Sequence, residues 1–197
     1  MIRCIVERGN ATRKLEAVRV GSKMDHKRIL IAAASKTGTA RRCAALLADR
    51  LPNGWAEVCN LEQKQPSPAD YDLVVVGGSV RMGRLHKAAR QYLRSNQMVL
   101  QAMPAAYFVC NCFVEQTQAI LQNNIPSVLL RAAICADSFG GVMELDAQRG
   151  IDRVIAGMAA KTLDAHAAGG ICQKAIDDFA AVLIKTLAVS EQQKRGS

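Results

Sequence analysis

Several features that define common protein classes are missing from this sequence of 197 residues. No apolar run approaches the roughly 18 to 20 residues of a membrane-spanning helix, and the N-terminal residues lack the apolar segment of a secretory signal. Aromatic residues make up only 4% of the chain, and no nucleic-acid-binding motif accompanies the basic residues. We therefore expect a cytoplasmic protein that has no nucleic-acid partner.

Three kinds of binding motif are also missing. The seven cysteines show neither CxxC nor Cys/His ligand spacing, so reduced buried thiols are favoured over disulfides or a metal site. A dinucleotide-binding domain would carry GxGxxG after its first strand, and a P-loop NTPase would carry GxxxxGK(S/T). The sequence has neither fingerprint at its first predicted turn, and we predict no metal.

What the chain does have is apolar content and positive charge. Half of its residues are hydrophobic, as expected for one domain with a substantial core. The net charge is +9, and residues 1–28 hold eight basic against three acidic residues, a net +5. Their lack of helical or alternating periodicity predicts a mobile extension over 1–27, whose basic residues permit contact with a membrane surface. We predict one domain over 28–189 and a polar tail over 190–197.

From Arg28 onward, the pattern alternates between strand and helix. The predicted strands are Arg28–Ala34, Trp55–Leu61, Leu73–Gly77, Ala105–Cys110 and Val128–Cys135. The predicted helices are Thr39–Leu51, Lys87–Ser95, one that ends near Gln122, Ile151–His166 and Cys172–Leu187. Five strands interleaved with helices predict an α/β fold, with a parallel sheet, helices on both faces and a ligand crevice at the carboxyl ends of the strands.

A hydroxyl-rich turn follows the first strand and precedes a helix. It contains Ser35, Lys36, Thr37, Gly38 and Thr39. This places hydroxyls and flexible backbone where the unpaired N–H groups of a helix N-terminus bind anions. An ordinary helix N-cap would also favour serine and threonine here. Because the polar or glycine-containing loops 78–86 and 111–117 fall on the same predicted sheet edge, we predict a mononucleotide phosphate site.

Three stretches resemble flavodoxin-like proteins. Ser35–Arg41 resembles the FMN phosphate loop of flavodoxins. Asp72–His86 is similar to the third-strand signature of the menaquinone-dependent protoporphyrinogen dehydrogenases, and Met103–Asn111 continues that match. The resemblance, which covers about 27–187, implies a flavodoxin-like doubly wound sheet of strand order 2-1-3-4-5 with noncovalent FMN. In that dehydrogenase family, protoporphyrinogen IX is oxidised and its electrons pass to a quinone.

The resemblance also implies which residues contact the cofactor. The FMN phosphate would be bound by Ser35, Lys36, Thr37, Gly38, Thr39 and Ala40. One side of the isoalloxazine would face Ser79, Val80, Arg81, Met82 and Gly83, and the other side would face Asn111, Cys112 and Phe113. Core packing is an equally good explanation of Phe113.

No side chain is assigned a catalytic role, because the flavin itself carries out the redox chemistry. Arg81 and Arg84 are candidate contacts for substrate carboxylates, with solvated surface arginines as the alternative. His86 is a candidate substrate contact or proton donor, with a helix-start position as the alternative.

Three functions stay open at this point. The first is an FMN-dependent oxidoreductase of the protoporphyrinogen dehydrogenase type, with a quinone or redox protein as partner and a peripheral membrane contact. The second is a flavodoxin-like electron carrier that has no substrate of its own. The third is a degenerate domain that no longer binds FMN. Because carriers of this kind are typically acidic, the basic balance of the chain favours the enzyme.

Overall fold

The computed structural model describes residues 27–141 and 170–195, without the side chains of Val114 and of residues 189–195. The predicted extension, apart from Lys27, and the predicted helix Ile151–His166 lie outside the described residues. The division of the chain into an extension, a domain and a tail stays a prediction.

The described residues form strands and helices in alternation. The strands are β1 (Ile29–Ala34), β2 (Ala56–Asn60), β3 (Leu73–Arg81), β4 (Arg84–Leu85), β5 (Ala105–Cys110) and β6 (Ala136–Ser138). The helices are α1 (Thr39–Ala48), α2 (Lys87–Ser95), α3 (Gln97–Ala102), α4 (Thr117–Asn124), α5 (Ser127–Ala132) and α6 (Gln173–Arg195). Short 3₁₀ turns lie at Pro68–Asp70 and Val114–Gln116.

The sheet has the order β2-β1-β3-β5-β6, and every neighbouring pair along this path is parallel. β4 is a hairpin partner of β3 and pairs with it antiparallel. With this hairpin strand set aside, the order is the predicted 2-1-3-4-5. β1 and β5 are buried along their whole length, as expected for central parallel strands covered on both faces.

Helices cover both faces of the sheet, as predicted, and each face has its own core. Along β1, Ile29 and Ile31 point into the core beneath α1 and α6, while Leu30 points into the core beneath α2 to α5. This alternation follows from the two-residue period of a strand. Arg50, just beyond α1, ties that helix to α6 through an ion pair of 2.8 Å with Asp177.

Phenylalanine rings connect the sheet to α6. The rings of Phe108 and Phe139 stack with their centroids 4.6 Å apart, and Phe139 meets Phe179 edge-on at 5.0 Å. Gly77 lies opposite Phe108 in the register of β3 and β5. A Cβ atom at Gly77 would lie 2.1–2.3 Å from atoms of the Phe108 ring, so this position requires glycine.

The fifth predicted strand, Val128–Cys135, is wrong. Residues Ser127–Ala132 form α5, and the fifth parallel strand is the three-residue β6. Only Leu129 of the apolar run is fully buried, whereas Val128 and Leu130 are partly exposed, which is the one-sided burial of a surface helix. A short apolar run does not distinguish a strand from a helix by its periodicity.

Three further boundaries differ from the predictions. β3 continues to Arg81 and turns into a hairpin where the sequence predicts a loop after Gly77. The helix α3 is not among the predicted elements. The last helix extends to Arg195, beyond its predicted end at Leu187.

Candidate cofactor site

Three loops lie side by side at the carboxyl ends of β1, β3 and β5. These strands are direct neighbours in the sheet, with β3 between the other two. The first loop is 35–38, which follows β1. The second is the hairpin that the end of β3 forms with β4, within 79–86, and the third is 111–116, which follows β5. The structure therefore brings the three predicted groups of site residues to one sheet edge, where α/β proteins bind ligands.

Loop 35–38 is organised around the hydroxyl of Ser35, which is buried. Its Oγ accepts hydrogen bonds from the Gly38 N–H at 3.1 Å and from the Ala40 N–H at 3.2 Å. Gly38 is the N-cap residue of α1 and has a left-handed φ of +92°, which a residue with a side chain rarely adopts. The Ser35 hydroxyl thus fixes the conformation of the loop. It also provides an acceptor for one N–H group in the first turn of α1, although Ser35 lies three residues before the N-cap.

The other polar residues of this loop lie next to the N-terminus of α1. Lys36 and Thr37 are exposed, and the hydroxyls of Thr37 and Thr39 lie 3.3 Å apart. The N-cap residue Gly38 has no side chain with which to cap α1, and the first N–H groups of a helix have no acceptor within the helix. Two adjacent hydroxyls, free helical N–H groups and a lysine form a donor set that fits a phosphate.

The second loop is a tight hairpin. Val80 pairs with Leu85 and Arg81 with Arg84, so Met82 and Gly83 alone form the turn. Both have positive φ, +50° for Met82 and +72° for Gly83, as a type I′ turn requires. The Met82 side chain stands at the tip and is 74% exposed.

Asn124, the last residue of α4, holds this hairpin. Its Oδ1 accepts from the Leu85 N–H at 2.8 Å, and its Nδ2 donates to the Gly83 carbonyl at 2.8 Å. The same Nδ2 donates to the Ile120 carbonyl at 2.8 Å within α4. The sequence does not indicate this contact, because Asn124 is distant along the chain and stands where an asparagine marks a helix end.

Arg81 and Arg84 lie directly opposite each other in the hairpin register. Cross-strand partners project from the same face of a hairpin, and like charges in that relation repel. Arg84 is exposed and Arg81 is partly buried. The hairpin therefore places two positively charged side chains on one of its faces.

His86 occupies the N-cap of α2. Its Nδ1 accepts from the Ala88 N–H at 3.3 Å, and its Nε2 lies 3.5 Å from a carboxylate oxygen of Glu62. Both ring nitrogens therefore have partners within the protein. This geometry is that of the helix-start position given above as the alternative to a substrate contact or proton donor.

The third loop is joined to the end of β6. Asn111 is buried, and its amide donates to the Phe113 carbonyl and accepts a hydrogen bond of 2.5 Å from the Ser138 hydroxyl. Ser138 Oγ also accepts from the Gly140 N–H at 3.2 Å. The Asn111 side chain thus shapes the loop, while Cys112 and Phe113 are partly exposed beside it. Ser138 is not predicted as a site residue, and its only signal is the glycine-rich stretch that follows it.

The cysteines near the site have shifted pKa values. Burial raises the pKa of Cys112, and a hydrogen bond with Cys43 together with burial raises the pKa of Cys110. The same hydrogen bond lowers the pKa of Cys43. Six cysteines are free within the described residues, and no three His, Cys, Asp or Glu side chains there come together to hold a metal ion.

The fold is that of a doubly wound α/β domain with three loops at one edge of its parallel sheet. A family model described as a flavodoxin domain matches residues 30–166, which is more than half of the chain. The chain therefore belongs to the flavodoxin domain family. The predicted family and fold class are confirmed.

One curated relative is the protoporphyrinogen IX dehydrogenase (quinone) of Escherichia coli K12, which is 32% identical over 85 residues. The match covers 42% of this chain and 47% of that protein, so the chain spans about half the length of the curated relative that it matches.

Two solved structures are among those to which this chain is similar. The FMN-bound flavodoxin of Fusobacterium nucleatum has a TM-score of 0.46 and 12% identity, with 81% of this chain and 98% of that chain covered. The rubredoxin oxygen:oxidoreductase of Desulfovibrio gigas has a TM-score of 0.40 and 13% identity, with 81% and 38% covered. Within the described residues, no helix has the length and apolarity needed to cross a membrane.

Proposed function

We propose that this chain is an FMN-dependent oxidoreductase that binds the cofactor at the carboxyl edge of its sheet. The observation that carries this proposal is loop 35–38. The Ser35 hydroxyl accepts from the Gly38 and Ala40 N–H groups, and the Thr37 and Thr39 hydroxyls lie 3.3 Å apart at the N-terminus of α1. Membership of the flavodoxin domain family supports FMN as the group that the loop holds.

Different residues of the chain would bind the phosphate and the isoalloxazine of FMN. Lys36, Thr37 and Thr39 would hold the phosphate, with the first N–H groups of α1. The hairpin at Met82 and the loop at Cys112 would flank the isoalloxazine and limit its contact with water. The bound flavin supplies the electron transfer, and the protein influences its potential through hydrogen bonds and nearby charge.

The substrate that we propose is protoporphyrinogen IX, with a quinone as the electron acceptor. The partial similarity to the Escherichia coli dehydrogenase supports this choice. So does the Arg81–Arg84 pair, because two guanidinium groups on one face of a hairpin suit the carboxylates of a porphyrin. The peripheral membrane contact belongs to the same proposal, since the quinone acceptor is a membrane lipid.

Electron carriage without a substrate is the second candidate. The observation that favours it is Met82, an apolar side chain that is 74% exposed at the tip of the hairpin. An exposed apolar group beside the cofactor is suited to transient contact with a redox protein.

Reconstitution with FMN tests the proposal directly. The purified protein, incubated with FMN and desalted, should keep a yellow flavin absorption band. Loss of that band would leave only the degenerate domain. If FMN is retained, anaerobic assay with protoporphyrinogen IX and a menaquinone analogue should give turnover, and bound flavin without turnover would favour the carrier.

Replacing the loop hydroxyls tests where the phosphate lies. Thr37→Ala and Thr39→Ala should each weaken FMN binding about 10- to 100-fold, since a hydrogen bond to a charged group contributes about 1.5–3 kcal/mol. Thr186→Ala, on the exposed face of α6, is the matched control and should bind FMN like the wild type. Unchanged affinity in both loop variants, measured by fluorescence titration, would contradict the assignment.

A further inference from the structure

We propose that Asn124 is a positioning residue for the flavin, because it holds Met82 in a left-handed conformation and so fixes the hairpin that flanks the ring. This inference rests on the proposed function.

The side-chain amide of Asn124 both accepts a hydrogen bond from the hairpin and donates one to it. Its Oδ1 accepts from Leu85 N–H and its Nδ2 donates to the Gly83 carbonyl, each at 2.8 Å. The third bond, from Nδ2 to the Ile120 carbonyl, fixes the amide on its own helix. Because Nδ2 faces two carbonyls and Oδ1 faces an N–H group, rotating the amide by 180° would oppose like groups. Asparagine therefore meets a requirement at this position that aspartate does not meet.

The conformation that Asn124 maintains is unfavourable for the residue at its tip. Met82 has a φ of +50°, at a turn position where glycine, asparagine and aspartate are the usual residues. Its side chain gains little from burial, because it is 74% exposed. Such local strain persists only where the surrounding structure imposes it. An apolar side chain held in this way is suited to contact a bound molecule and not the protein's own core.

The attachment of the hairpin explains why one side chain has this effect. At the base, Leu85 is buried in the core beneath α2 to α5, and the His86 N–H donates to the Ser79 carbonyl at 3.0 Å. At the tip, the Gly83 carbonyl is bonded to Asn124, which belongs to another element. Without the amide, the base would stay in place while the turn became free to change its conformation.

The test compares Asn124→Ala and Asn124→Asp with Asn123→Ala, an exposed asparagine on the same helix. Both Asn124 variants should lose about tenfold in FMN affinity, because part of the binding free energy would then be spent on ordering the hairpin. Their flavin should show a shifted midpoint potential and weaker fluorescence quenching. Asn124→Asp keeps the size of the side chain and the acceptor for Leu85, so it separates the lost donor from a loss of packing. Asn123→Ala should match the wild type in all three measurements.

The same comparison in a Met82→Gly background tests whether Asn124 acts through the conformation of residue 82. Met82→Gly removes the left-handed strain, so Asn124→Ala should have a smaller effect on amide exchange at Leu85 in this background than in the wild type. This measurement uses the protein without FMN. If the wild type binds no FMN, the proposed function fails. Equal amide hydrogen exchange at Leu85 in Asn124→Ala and Asn123→Ala would instead contradict the claim that Asn124 holds the hairpin. If FMN binds, unchanged affinity and potential in both Asn124 variants would overturn the positioning role.

Discussion

Two buried tyrosines differ in whether their hydroxyls have a partner. The Tyr92 hydroxyl donates to the Pro66 carbonyl at 2.8 Å, whereas the buried Tyr107 hydroxyl on β5 has no hydrogen-bond partner among the described residues. Burying an unpaired hydroxyl is unfavourable. Tyr107→Phe should therefore raise the free energy of unfolding by about 1 kcal/mol, and Tyr92→Phe should lower it by about the same amount. Urea denaturation at pH 7 measures both changes, and the opposite ranking of the two variants would contradict this reading.

Among site residues, those close together in sequence were predictable and those joined across the fold were not. Ser35 and Thr37 stand in one short turn between a strand and a helix, a local pattern that indicates an anion loop. Asn124 and Ser138 reach the site only because α4 and β6 pack beside the hairpin and the third loop. Their side chains carry no local signal, since each is an ordinary polar residue at the end of its element.

The pairing of β3 with β5 depends on Gly77, because this residue has no side chain. The Phe108 ring fills the space beside Gly77, and the same ring stacks on Phe139. Gly77→Ala should lower the free energy of unfolding by about 1–3 kcal/mol or more, as overpacking in a core does. Gly78→Ala is the matched control in the same strand. Its Cβ would lie 3.0 Å from Leu85 Cδ1 and 3.2 Å from the Ala34 carbonyl oxygen, which are milder contacts than those at Gly77, so its cost should be smaller. Equal destabilisation of the two variants in urea titrations would contradict this account.

Strands and helices with long sequence patterns were predicted well, whereas those with short patterns were not. The continuous apolar run of β3 and the helical spacing within α6 place these elements where the structure has them, apart from their ends. The run Val128–Leu130 follows Pro126, and both a strand and a helix could begin there. Tertiary packing decides for the helix α5, and the fifth strand is then reduced to the three residues of β6.

The stability of the whole molecule should fall in alkaline solution. Burial, with a hydrogen bond to Glu57, raises the pKa of Tyr71 to about 12, and burial raises the pKa of Tyr92 and Tyr107 further. Burial, with the charge of Asp137, raises the pKa of Cys135 to about 12. The unfolded chain releases these protons first, so their contribution is complete below the unfolded pKa values and is lost as pH rises toward the folded ones.

For Tyr92 and Tyr107 together, the free energy of unfolding should fall by about 2.7 kcal/mol per pH unit above pH ~10. Urea denaturation at pH 8, 9, 10 and 11 measures the slope. Tyr107→Phe should remove that residue's own share of the slope, about 1.4 kcal/mol per pH unit, while a stability that is constant up to pH 11 would contradict the prediction.

The Ser35 hydroxyl has a consequence for the thermodynamics of cofactor binding by the whole domain. Its bonds to the Gly38 and Ala40 N–H groups form within the protein itself, so the loop is ordered during folding and not when a ligand arrives. Ordering a flexible loop on binding would subtract entropy from the affinity. Phosphate binding to this loop should therefore carry a small entropic penalty, with association limited by encounter and not by rearrangement of the loop.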